Sequence, residues 1–427
     1  MEKVLIIGYF YPPCNLTPSQ RMHSWAKYLH EFGYHPVIVT RKWEKKVETL
    51  KDASFPTSRG DKVIHEQNYE VHYVPYNSNL RDKIFIANED RFNIVRRGLT
   101  VMNLIGEHYS NSFIPYGNMY TKAEELIQKY NIKKCLITAS PFNLFRFGYL
   151  LNKYHHVKWV ADYRDAWTTS EIHSPNRNVI FKIIDQLNRK FEKKWVSTAS
   201  QITSVSPDLA KGINQLTGVK DSPVYNGFES DDFDSLPDFP KYENFTITYI
   251  GSLYDKQPIE FFLDAFIKLI KKTNDQSIRL YCPGLDFFSE QKTRINSYLK
   301  EFSNQFEATP RIPRIKILEI EKRSHALLYV AWKGHKGVVP SKIYEYLPTG
   351  TVVIVAPTDH SVVHEIMEES NAGISTDNAT ELFDFIYNLY KKFKLGENLR
   401  SKAEGNAIQK FSRYEQVKKM AEILNNI

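Results

Sequence analysis

Short apolar runs alternate along the whole chain with longer stretches in which apolar residues recur every three or four positions. The first half offers strands at Lys3–Gly8, Pro36–Thr40, Val71–Pro75, Lys134–Ser140, Val157–Asp162 and Gln201–Ser206. The second half offers Phe245–Gly251, Ser277–Pro283, Leu327–Trp332 and Thr351–Ala356. Runs such as Val4-Leu5-Ile6-Ile7 and Val352-Val353-Ile354-Val355 are apolar at odd and even positions alike. Successive side chains of a strand point to opposite faces, so such a run needs cover on both sides, as in a parallel sheet between helices. Strand–helix alternation at this spacing predicts βαβ units and an α/β, doubly wound fold.

One segment breaks both periodicities. Tyr225–Glu243 is acidic and carries Gly227, Pro237 and Pro240, and strand signals resume at Phe245. The expected organisation is a first domain over 1–225, a second over 243–400, and a helical tail over 401–427. In that tail Ile408, Phe411, Val417, Met420, Ile423 and Leu424 form an apolar side able to pack back on the first domain. A length of 427 residues suits two or three domains.

Composition narrows the function classes. With 42% hydrophobic and 25% charged residues, disorder of the whole chain is excluded. The net charge of +8 suits an anionic partner or simply a basic solvated surface. Basic stretches such as those from Arg96 and over Arg189–Lys194 lack interleaved aromatics, so nucleic acid is not expected. The segment Arg91–Ile105 mixes arginines with large apolar residues. It reads either as a surface for peripheral membrane contact or as a core helix. Cys14, Cys135 and Cys282 lie far apart, which argues against a disulfide framework or a cysteine zinc site and for a cytoplasmic setting. The N-terminus MEKVLIIGYFYPPC reads as a first strand and not as a leader. Zincin, Walker and nucleophile-elbow motifs are missing, and neither a metal nor a bound cofactor is expected. Asp232-Phe233-Asp234 has an Asp-x-Asp spacing but sits in the acidic connector and reads as linker.

Four stretches place chemistry at strand ends, where open α/β sheets bind ligands. After the first strand comes GYFYPPCNLTPSQR. Thr17 is placed to cap a helix, with Pro18 at its first position and Gln20 completing a capping box. Tyr11, Pro12 and Arg21 then stand at the edge of the sheet, Arg21 as a cation or as a solvated loop residue. The stretch VKWVADYRDAWT puts Arg164 and Asp165 just past a strand, at a cleft mouth or in a loop-tying salt bridge. In GSLYDKQPIEFF, Gly251 and Ser252 turn from a strand toward a helix, with Lys256 nearby. That is a phosphate site or a plain turn. The stretch KGHKGVVPSKIYEYLPTGTVVIVAP carries the most pattern. Ser341 opens a short helix whose Ile343 and Leu347 share one face while Lys342 and Glu345 share another. The carboxylate suits two ribose hydroxyls and the ammonium a phosphate. The alternative is a surface ion pair three residues apart.

Taken together, YFYPP…R…AKYLHEFGYHPVIVT, DYRDAWT, SVSPDL…VYNGFE, YIGSLYDK, VPSKIYEYLPTGTVVIVAP, EIMEESNAG and FSRYEQ resemble, in order and over nearly the whole chain, the GT-B-fold family 4 glycosyltransferases of bacterial surface-polysaccharide type. The resemblance implies two Rossmann-like domains facing across a cleft, the first binding an acceptor and the second a nucleotide-activated sugar. It also implies retention of anomeric configuration without a divalent metal. Carried over to this chain, Glu345 would hold the donor ribose. Gly251, Ser252, Lys256, Ser341 and Lys342 would lie by the diphosphate, and Asp165 would sit near the reacting sugar. Tyr281, Pro283, Lys336, Gly337 and Val338 would complete the donor side. Three positions depart from the family pattern. Gly337 stands where the first glutamate of a Glu-x7-Glu pair is usual, Ser252 where an arginine is common, and Asn15-Leu16 in place of a Gly-Gly pair.

The expectation is therefore a cytoplasmic glycosyltransferase at or near the inner face of a membrane. It would use a nucleoside-diphosphate sugar, UDP favoured, and a saccharide or polyprenyl-linked acceptor. The alternatives are a non-catalytic sugar-nucleotide-binding protein, or a sugar-nucleotide epimerase or hydrolase of the same fold.

Overall fold

The computed structural model describes residues 1–44, 47, 50–88, 92–169, 179–287, 289–332, 334–403 and 405–427. The chain forms two compact units, one of Met1–Tyr225 with Gln416–Ile427, the other of Asn226–Glu415.

The first unit is built on strands β1 Glu2–Gly8, β2 Tyr34–Arg41, β3 Lys62–His65, β4 Glu70–Val74, β5 Lys134–Ala139, β6 Lys158–Tyr163, β7 Gln201–Ser204 and β8 Asp221–Pro223. Their order is β3-β4-β2-β1-β5-β6-β7-β8. The pairs are parallel except the antiparallel edge pair β3–β4. In register, Leu5 faces Val37 and Cys135, and Ile7 faces Val39 and Ile137. These odd positions of β1 join one core with Met119, Leu126, Phe145 and Leu151 from two helices. The even positions Val4 and Ile6 join a second core with Met22 and Trp25, and with Val417, Met420 and Leu424 of the terminal helix Arg413–Asn425. The two-faced apolar runs thus have the cover that their pattern requires.

The helix Pro18–Tyr28 begins with proline in its first turn, but Thr17 is itself helical and makes no side-chain cap bond. Ser19 Oγ instead donates to Leu16 O at 2.7 Å. A left-handed Gly33 closes the following short 3₁₀ turn.

The second unit has strands β9 Thr246–Tyr249, β10 Arg279–Pro283, β11 Phe306–Thr309, β12 Ala326–Tyr329, β13 Val352–Val355 and β14 Gly373–Ser375, in the order β11-β10-β9-β12-β13-β14. All its pairs are parallel. Phe262, Phe266 and Leu269 of helix Glu260–Thr273, with Leu382 and Ile386 of helix Ala379–Lys394, cover one face over Ile247, Leu280 and Leu328. Among the parallel strands of each sheet the order reverses once, at β1/β5 and at β9/β12. The carboxyl ends there are the crevices where such sheets take ligands.

The strands not expected from the sequence are β3, β8, β11 and β14, of three or four residues each. All four are edge or near-edge strands, too short for a period of two to register.

Candidate functional site

In the second unit the chain leaves β9 through Ile250 and turns at Gly251, whose φ is +81°. It leaves β10 through Pro283 and turns at Gly284, with φ +86°. Gly251 N donates to Pro283 O at 2.8 Å, so the two turns are bonded together. A Cβ on Gly284 would lie 3.2 Å from Gly251 Cα. Both positions need glycine, for backbone conformation and for this close approach. The result is a stretch of bare backbone at the carboxyl ends of two neighbouring strands. Gln257 fixes the loop across the switch point: its side-chain amide donates to Val330 O at 2.6 Å and accepts from Tyr254 N at 3.0 Å.

The short helix Ser341–Tyr346 delivers Lys342 to this surface. Lys342 Nζ donates to Ile250 O at 2.6 Å and stands over the Tyr249 ring at 4.4 Å. A Cβ built on Gly251 would meet that Nζ at 3.9 Å. Burial pushes the Lys342 ammonium down to about 8. Ile343 and Leu347 on the other face are buried. Lys256, expected as the local cation, is exposed in the loop, and Lys342 holds the place beside the turn instead.

Glu345 does not pair with Lys342. It is buried, and Arg314 Nη1 donates to its Oε1 at 2.9 Å. The same guanidinium reaches Asp232 Oδ2 at 2.8 Å through Nη2. Lys342 and Glu345 therefore diverge, because each finds a nearer partner on another element. Asp232, read as linker, belongs to this cluster through Arg314. Beneath it Glu321 is fully buried, and its carboxylate has no hydrogen-bond partner among the described residues. Burial first, then the neighbouring Glu345, raise its pKa well above the usual 4.5. An acid that holds its proton more tightly when folded loses stability for the protein as pH rises above the unfolded value. Glu321→Gln is expected to flatten the fall of melting temperature between pH 5 and 8; parallel wild-type and variant profiles would refute it.

Of the other donor-side expectations, Tyr281 is half-buried and Pro283 buried beside the glycine turns. Lys336 is exposed, Val338 half-buried, and Gly337 is buried with φ +74°, its N–H donating to Ser361 Oγ at 3.3 Å. Ser341 and Ser252 are half-buried.

In the first unit the expected cation Arg21 is taken up inside the fold. Its Nε and Nη2 donate to the two oxygens of Asp162 at 2.9 and 2.6 Å, and Nη1 donates to Tyr225 O at 2.9 Å. Thr138 and Thr203 hydroxyls also donate to Asp162. The guanidinium ties the first helix to the carboxyl end of β6 and is buried there, with both carboxylate oxygens and a carbonyl as its partners. Tyr11 is likewise buried in the core, packed on Tyr73, and Pro12 O accepts from the Tyr73 hydroxyl at 2.8 Å. Arg164 does not bridge to Asp165: it donates to Ala139 O and Ser140 O at 3.0 and 2.7 Å, which leaves Asp165 exposed past β6. Around Arg164 the strand ends carry aromatic pairs. Phe10 stacks on Trp43 at 5.9 Å, and Phe142 on Trp167 at 5.3 Å. Phe10, Phe142 and Trp167 are only partly buried, packed against the core just past the carboxyl ends of β1, β5 and β6.

Among the described residues no group of three or more histidine, cysteine, aspartate or glutamate side chains is placed to hold a metal ion, and no helix is long and apolar enough to cross a membrane.

Sequence reasoning missed Gly284, Gln257, Arg314 and the aromatic pairs. Gly284 follows a strand as Gly251 does, so the same rule would have found it. Arg314 lies 31 residues from Glu345 and leaves no local signal.

No family model matches the chain, and no curated protein matches it. Solved structures do match over the whole chain. A sucrose-phosphate synthase from Thermosynechococcus elongatus aligns with TM-score 0.63 at 13% identity, covering 100% of this chain and 99% of that one. A glycosyltransferase from Rickettsia africae aligns with TM-score 0.61 at 16% identity, over 100% and 98%. HepE from Anabaena, solved in complex with UDP-glucose, aligns with TM-score 0.61 at 14% identity, over 100% of both chains. What this chain shares with them is the architecture of two parallel-sheet α/β domains, the GT-B fold.

Proposed function

We propose that the protein is a glycosyltransferase that moves a sugar from a nucleoside-diphosphate sugar, UDP favoured, to a saccharide or polyprenyl-linked acceptor on the cytoplasmic side of a membrane, with retention of configuration. The observation that carries this reading is the bare Gly251–Gly284 backbone with the Lys342 ammonium at its edge. A diphosphate needs close backbone approach and a cation, and this surface offers both beside the β9/β12 switch point. The HepE structures with UDP and with UDP-glucose share the fold and support the choice of donor. In this reading the residues act by electrostatics: Lys342, with the exposed Lys256 of the adjoining loop, stabilises the diphosphate as it departs. Asp165 and the aromatic pairs past the strand ends of the first unit serve the acceptor, since sugar rings pack their C–H faces on aromatic planes.

Release of UDP from a UDP-sugar only when an acceptor is present is the deciding result. Release without acceptor would indicate a hydrolase, conversion without release an epimerase, and binding without turnover a non-catalytic partner.

Two further outcomes are expected. Turnover survives EDTA, because the Asp232 carboxylate is neutralised by Arg314 and is a poor cation ligand. A loss that magnesium restores would refute this. Glu345→Ala weakens UDP binding by about tenfold, the equivalent of one charge-assisted hydrogen bond of about 1.5 kcal/mol. Equal affinities in calorimetric titration would remove Glu345 from the site and leave it as the ion-pair partner of Arg314.

A further inference from the structure

Of the segment Arg91–Ile105, Arg91 lies outside the described residues. The rest forms the helix Asn93–Gly106 with its cap Phe92, and none of that helix is buried, so it is not a core helix. Ile94, Val95, Met102 and Ile105 are exposed and fall on one side of the helix. That apolar side faces solvent, the reverse of an ordinary packing helix. The helix has no acidic residue; Arg97 is exposed, and Arg96 stands over the Phe85 ring at 5.1 Å.

A second helix, Val179–Val196, repeats the pattern. Its first turns expose Val179, Ile180, Phe181 and Ile183, and further along it exposes Arg189, Lys190, Lys193 and Lys194. Its acids are turned inward: Asp185 is half-buried, and Glu192 is buried and accepts from the Tyr163 hydroxyl at 3.0 Å. Leu104 of the first helix and Phe181, Ile184 and Arg189 of the second line a shared groove, so the two helices lie side by side. Nine of the 20 exposed large apolar side chains among the described residues belong to these two helices and the cap Phe92. Singly scattered apolar residues need no explanation, but a concentrated patch does.

We propose that this face seats on a bilayer containing anionic phospholipid. The apolar side chains enter the boundary between headgroups and acyl chains, and Lys190, Lys193, Lys194 and Arg97 lie against the lipid phosphates. Charge complementarity selects this occupant. A second copy of the chain would set the same cations against each other across a two-fold interface. The proposal rests on the functional reading above only for its cellular setting, and its test needs no nucleotide.

The test is co-sedimentation with phosphatidylcholine vesicles, with and without phosphatidylglycerol, at low and high salt. The wild type is expected to bind the anionic vesicles, to release them at high salt, and to ignore the neutral ones. Ile94→Glu with Ile180→Glu is expected to weaken binding at least tenfold with an unchanged melting temperature, because both side chains are exposed. Lys190→Glu with Lys193→Glu is expected to abolish the preference for anionic lipid. Failure of the wild type to bind, or equal binding by the variants, overturns the proposal. So does a concentration-dependent dimer that Ile94→Glu dissolves, which would give the face to a second copy. UDP titration of the same variants should match wild type, which keeps a failure here distinct from a failure of the transferase reading.

Discussion

Arg21→Met is expected to lower folding stability by about 3–5 kcal/mol, the cost of leaving one partner of a buried ion pair uncompensated. Arg21 is 5% exposed and Asp162 not at all. The guanidinium fork meets both carboxylate oxygens and also ties the carbonyl of Tyr225, the last residue of this unit before the chain crosses to the other. Methionine keeps much of the apolar stem and removes the charge, so the loss reports the ion pair and not a cavity. Thr138 and Thr203 would remain as the donors to a buried carboxylate. The double variant Arg21→Met/Asp162→Leu should recover a large part of the loss, because both charges then leave together. Urea unfolding midpoints decide it. A single-variant loss below about 1 kcal/mol would fall in the range of exposed ion pairs and refute the buried lock.

Lys342→Met is expected to weaken UDP binding by tenfold or more, since a charge-assisted hydrogen bond contributes about 1.5–3 kcal/mol. The pH dependence has a definite sign. Burial lowers the Lys342 ammonium to about 8, so its charge, and with it the diphosphate affinity, declines as pH rises through 8. Stability moves the other way. The unfolded lysine keeps its proton to about 10.4, so between about 8 and 10 the unfolded state binds more protons and folding stability rises with pH. Calorimetric titration at pH 7 and 9 should show the affinity falling in wild type and flat in Lys342→Met. Lys342→Arg, charged throughout, should bind alike at both pH values. A wild-type affinity that does not change would place the diphosphate elsewhere.

The strands with apolar residues on both faces, β1, β2, β5, β6, β12 and β13, were legible because each needs burial on both sides, and only a helix-covered sheet supplies that. The Gly251 turn and the short helix at Ser341 were legible because glycine and proline constrain the backbone locally. The roles of charged residues were not. Arg21 read equally as a cleft cation or a solvated residue, and Asp162, which takes it up, lies 141 positions away. The pairing of Lys342 with Glu345 was a fair local inference from helical spacing. It fails because Ile250 O and Arg314, brought in by other elements, lie closer to each partner.

By itself, then, the sequence determined what depends on neighbouring residues: which of the longer runs are central strands, which segments have helical periodicity, and where glycine breaks them. The tertiary structure decided which charges meet, because a long side chain's partner depends on which strand ends the sheet order brings together. It also decided which amphipathic helices have a core to cover. Asn93–Gly106 has the periodicity of a packing helix, and only the fold shows that none of its residues is buried and that its apolar side is largely exposed.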